Sequence, residues 1–166
     1  MTRFHFYSLL LFSTILQVAF FPEWVLLNVH FEILFAITVF IGIKYDWYSG
    51  IKSGILFGFA QDIFSIGPFG LSILTYGIAG FLASVFEIVI FTNHLSTRLF
   101  ILFLLSLLTS ITTLFIENLI QGHLHFFGPS DFLELNILSV CFVNTLFAFP
   151  LYLLLEKIPS RYGHSP

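Results

Sequence analysis

Six long apolar runs, residues 4–21, 24–43, 50–66, 69–91, 99–120 and 132–155, take up most of this chain, and its six Lys and Arg residues fall in or beside the gaps on one side of them. Crossing a hydrocarbon core takes about 20 apolar residues, or roughly 17 without tilt, so each run is long enough. With the first end inside, Arg3 precedes run one, Lys44 and Lys52 flank the second gap, Arg98 lies in the fourth, and Lys157 and Arg161 follow run six. The three opposite gaps hold no cation. Six of six on one side would arise by chance roughly 3% of the time, so the positive-inside rule orients the chain with both termini in the cytoplasm. Glu23, Asp131 and Glu134 fall near the outer face. The expected architecture is all-α: six transmembrane helices in a compact bundle, forming a single integral membrane domain over residues 1–166.

Asn28, His30 and Glu32 interrupt the second run. Removing that span would put Lys44 and Lys52 outside and break the charge pattern, so six spans are kept. The polar start of span two is read as functional or pore-facing.

Composition narrows the function. The chain is 58% hydrophobic and 9% charged, and six spans of about 20 residues leave no room for a soluble domain. Scattered cations and a net charge of −3 make no basic patch, which excludes nucleic acid as a partner. The single cysteine, Cys141, lies inside run six and is read as a small packing residue. The first 21 residues look superficially like a signal peptide. The sequence Val18-Ala19-Phe20-Phe21 before Pro22 is a poor cleavage site, so this segment is expected to remain as a helix. The 24 phenylalanines are spread through every span without a repeat.

Gly50, Gly54 and Gly58 stand four apart, with Asp62 next in the same register. On a helix this spacing gives one slowly winding stripe, and small residues on it let two helices approach backbone to backbone. Whether the facing helix belongs to the same bundle or to a partner is not specified by the spacing. Asp62 lies near the outer end of span three, where a carboxylate either serves function or bonds neighbouring backbone groups. Glu117 holds a similar position in span five, and Glu87 lies near the inner end of span four, where pairing with Arg98 or reaching water is the ordinary explanation. Gly67 and Pro68 are expected to form a tight turn, and Gly70 to open the next helix, so spans three and four make an antiparallel hairpin.

The outer face thus gathers His30, Glu32, Asp62, Glu117, His123, His125 and Glu134. His and carboxylate are ordinary metal ligands, but one residue between His123 and His125 matches no strong metal signature, so no metal or cofactor is expected. The chain also lacks a Gly-rich phosphate loop and an HExxH helix, and no serine with a paired base is evident, so no enzymatic activity is expected.

The stretch Gly54-Ile-Leu-Phe-Gly58-Phe-Ala-Gln-Asp62-Ile-Phe-Ser-Ile-Gly67-Pro68-Phe-Gly70-Leu71-Ser-Ile-Leu-Thr-Tyr76 resembles the central signature of the rod shape-determining MreD family: a glycine-rich helix, an aspartate, a short turn with Pro and Gly-Leu, then a helix carrying a tyrosine. The match is specific over residues 50 to 90 and rests elsewhere on length and span number. The resemblance implies a non-enzymatic component of the bacterial elongation machinery in the inner membrane. Its implied partners are MreC directly, then RodA, a penicillin-binding transpeptidase and MreB indirectly, together with membrane lipid; a homodimer is compatible with it. It also implies a bundle similar to the substrate-binding S components of energy-coupling-factor vitamin transporters. Gly54, Gly58, Asp62, Pro68, Gly70 and Tyr76 match the motif, either as contacts to MreC or as supports of the hairpin, and an outer pocket lined by His30, Glu32, Asp62 and Glu117 would suit a lipid or peptide ligand. The alternative function is a vitamin S component itself; those dock through an Ala-xxx-Ala face on span one, whereas Ser8, Ser13, Thr14 and Ala19 form no such pair here.

Overall fold

The computed structural model describes residues 3–20, 31–65, 67–90, 94–120 and 137–156. Among them are six helices and no strand: α1 (Arg3–Phe20), α2 (Ile33–Lys44), α3 (Trp47–Phe64), α4 (Leu71–Ile90), α5 (Leu95–Ile120) and α6 (Ile137–Leu155). Three of these, α4, α5 and α6, are long and apolar enough to cross a membrane by length and composition. Large apolar side chains such as Ile88, Phe100, Phe142 and Leu154 point outward from them. A surface of this kind suits lipid and not water, and marks an integral membrane protein.

The second run departs from expectation. Its helix begins only at Ile33, and Phe31 and Glu32 before it are not helical, so the continuous helix expected over 24–43 is broken; residues 24–30 lie outside the described part. The helical portion has 12 residues, roughly 18 Å of rise, well short of a hydrocarbon core. Every residue from Ile33 to Ile43 is buried, as befits a helix apolar on all sides. It is the central post of the bundle, in contact with each of the other five helices. On α6, Tyr152 packs against Phe40 in a tilted arrangement with ring centroids 5.0 Å apart and donates its buried hydroxyl to the Ala36 carbonyl at 3.1 Å.

The most extensive helix pairing joins α3 to α4, and it is built from glycine. A Cβ added at Gly54 would overlap the Tyr76 carbonyl and sit 2.7 Å from Gly77 Cα; one added at Gly58 would overlap the Ser72 carbonyl and sit 2.7 Å from Ile73 Cα. Gly50 meets Gly80 in the same way, and Gly42 of α2 also abuts the Gly80 carbonyl. Two helices, α2 and α3, therefore converge on one α4 residue, at a distance no side chain could occupy. The partner of the glycine stripe is α4 of the same chain.

At the opposite end from the α3–α4 turn, charged groups tie helix ends together. Lys44 Nζ donates to the Leu155 and Glu156 carbonyls at 3.0 and 3.2 Å, satisfying orphan acceptors at the end of α6 and placing a cation at the negative end of its dipole. Arg98 Nη1 meets Glu156 Oε1 at 2.7 Å. The sequence offered Glu87 either as the partner of Arg98 or as a side chain reaching water; the structure pairs Arg98 with Glu156, the residue that follows α6. Trp47 and Tyr48 lie exposed at this same end, where amphipathic rings favour a membrane interface.

Candidate functional site

Asp62 occupies the last turn of α3, and its buried carboxylate reaches across the hairpin to the start of α4. Oδ2 accepts the Gly70 amide at 2.8 Å and the Ile73 amide at 3.3 Å, while Oδ1 accepts the Ser72 amide at 3.0 Å. These are amides that the first helical turn leaves unpaired, and the positive end of the helix dipole meets the negative charge. The turn itself runs from Pro68 to Leu71, closed by the Leu71 amide on the Pro68 carbonyl at 3.2 Å. Its central pair is Phe69–Gly70, two residues further on than the expected Gly67–Pro68. Gly70 has φ +99°, and nothing lies within 4 Å of where its Cβ would be. It is required by backbone conformation, not by space.

One helical turn into α4, Tyr76 is buried and packs on Phe35, its ring centroid 5.3 Å away. Its hydroxyl donates to Glu32 Oε2 at 3.2 Å. Glu32 sits in the non-helical peptide before α2, and two side-chain amides hold that peptide. Asn144 of α6 takes the Glu32 amide on Oδ1 at 3.0 Å and donates to Ser106 Oγ of α5 at 3.1 Å. Gln17 of α1 takes the Ile33 amide on Oε1 at 2.9 Å and donates to the Phe31 carbonyl at 3.2 Å. A helix can begin at this depth only because protein groups replace the water its first amides would otherwise need.

Between the hairpin turn, α5 and α6 lies a cavity of about 330 Å³. Glu32 and Asp62 line it, with Tyr76, Gly67 and Pro68; the remaining wall combines hydroxyls of Ser72, Thr75, Thr109, Ser110 and Thr113 and the amide of Gln61 with apolar contacts from Leu71, Leu114, Ile137 and Val140. Of the sequence-predicted residues, Gly50, Gly54 and Gly58 stay inside the hairpin, and Gly70 stays in the turn. His30, His123, His125 and Glu134 lie outside the described residues. Glu117 lies on α5, with its side chain likewise outside them. Among the described residues, no three or more His, Cys, Asp or Glu side chains come together as a metal site.

Sequence reasoning missed the hydroxyl wall and the two amides. The signals were present: Thr109-Ser110-Ile-Thr112-Thr113 is a hydroxyl cluster inside an apolar span, and Gln17 and Asn144 each stand within an apolar run. Such polar residues are costly in a membrane unless they are paired. Among the described residues no Lys, Arg or His lines the cavity. Its two acidic side chains, Glu32 and Asp62, therefore face no basic partner among the described wall residues.

The chain's sequence, over residues 1–158, matches the family described as rod shape-determining protein MreD. No curated protein and no solved structure matches the chain.

Proposed function

The chain belongs to the MreD family of rod shape-determining membrane proteins, and from that membership we propose that it is a non-enzymatic scaffold of the bacterial cell-elongation machinery. It crosses the inner membrane six times with both termini in the cytoplasm, binds MreC, and through MreC is coupled to RodA, a penicillin-binding transpeptidase and MreB. The observation that carries this reading is the family match over nearly the whole length. The bundle adds a constraint on how MreC binds. The glycine stripe, whose spacing also suited a partner helix, is filled by α4, so docking falls to the outward faces of the bundle.

Affinity isolation of the full chain in mild detergent tests the reading. MreC is expected to co-elute, and depletion of this protein should turn rod-shaped cells round. Recovery of an ATPase-driven transport module in place of MreC would overturn the scaffold and support the vitamin-transporter alternative.

A further inference from the structure

The two carboxylates of the cavity are not equivalent. Both oxygens of Asp62 are occupied by backbone amides. Glu32 accepts one hydroxyl on Oε2, and no described residue donates to its Oε1. No buried side-chain oxygen in the described structure lacks a hydrogen-bond partner, so Oε1 is an accessible atom, and it belongs to a residue that lines the cavity. Two hydroxyl residues of the same wall point the same chemical way. Thr75 and Thr109 donate their protons to the Leu71 and Leu105 carbonyls at 2.9 Å each, which leaves their lone pairs as acceptors. A carboxylate oxygen in a wall where Thr75 and Thr109 offer lone pairs, with no basic side chain among the described wall residues, disfavours an anion and favours a group made of donors. An ammonium has three donors and no acceptor. In a poorly hydrated wall its charge-assisted bond to a carboxylate is stronger than a neutral bond. The volume, near the lower end of ligand pockets, suits a small head group and not a large organic molecule.

We propose that this cavity binds a primary ammonium group, seated on Glu32 Oε1 and surrounded by the hydroxyl oxygens of Thr75, Thr109, Ser110 and Thr113. The group comes from the ethanolamine head of a membrane lipid or from a free amine of similar size. The proposal is independent of the scaffold role, because amine binding can fail while MreC still co-elutes.

The test uses the full chain in nanodiscs of phosphatidylglycerol, followed by thermal unfolding. One arm adds free ethanolamine and the other replaces part of the lipid with phosphatidylethanolamine; choline and phosphatidylcholine, which lack N–H donors, serve as controls. A rise in Tm with either ethanolamine form and with neither choline form is expected. A response to the lipid alone identifies a head-group site, and a response to free ethanolamine identifies a soluble amine. Glu32→Gln keeps the shape and an acceptor for Tyr76, and should weaken binding on the order of tenfold or more. Thr113→Val, which removes a wall hydroxyl and leaves the carboxylate in place, should weaken it severalfold even if Glu32→Gln fails to fold. No response in the wild-type protein, equal responses to choline and ethanolamine, or undiminished binding in a folded Glu32→Gln or in Thr113→Val would overturn the proposal.

Discussion

Asp62 shows how much of the hairpin depends on one carboxylate. Its two oxygens divide three amides between them: Gly70 and Ile73 on Oδ2, Ser72 on Oδ1. In Asp62→Asn, an amide oxygen at the Oδ2 position keeps two of these bonds and sets its NH₂ against the Ser72 amide. Asp62→Leu loses all three and leaves buried donors unpaired, at a cost of about 1.5 to 3 kcal/mol per charge-assisted bond. Thermal unfolding in detergent should therefore rank wild type above Asp62→Asn and Asp62→Asn above Asp62→Leu, with rod shape following the same order in cells carrying each variant as the only copy. If Asp62→Asn reaches normal membrane levels yet fails in cells as completely as Asp62→Leu, charge at Asp62 has a function beyond capping. The position of this residue was legible from the chain, one register step beyond Gly58 and just before the turn. The division of its two oxygens depended on where the α4 backbone lies.

Among helices, the α3–α4 contact distinguishes glycines needed for space from those that are not. At Gly54 any side chain meets the Tyr76 carbonyl and the Gly77 backbone, whereas a Cβ at Gly77 would find only Ile55 Cγ1 at 3.7 Å, an ordinary contact. Gly54→Ala should therefore destabilise by about 1 to 3 kcal/mol as an overpacked contact. Gly77→Ala should be neutral or stabilising by up to about 1 kcal/mol, since alanine favours helix more than glycine does. Melting temperatures of the two purified variants check the contrast, and equal values would mean that α3 and α4 do not approach so closely. The four-residue spacing announced a close approach from sequence alone. It could not name α4 as the neighbour, nor pick out Gly42 and Gly80, which sit in no such repeat on their own helices and matter only because α2, α3 and α4 cross there.

For the whole molecule, the structure groups Lys44, Arg98 and the end of α6 at one pole and the Asp62–Tyr76–Glu32 cavity towards the other. If the first pole is cytoplasmic, single cysteines introduced as Ser49→Cys or Ser96→Cys in a Cys141→Ser background should resist an impermeant thiol reagent added to intact cells, while Ser130→Cys should react. Labelling of Ser49→Cys from outside would break the six-span topology. Sequence alone determined the helical class, the membrane setting, the expected sidedness and the α3–α4 hairpin, because apolar length, cation placement and turn residues act locally along the chain. What only the tertiary structure decided is nonlocal. Residues 24–43 look like one more span, yet the helix starts at Ile33 because Gln17 and Asn144, from opposite ends of the chain, supply the hydrogen bonds that let it start there. The cavity likewise is lined by Ser and Thr residues of α4 and α5 together with Glu32, a juxtaposition set by packing around α2 and encoded in no single segment.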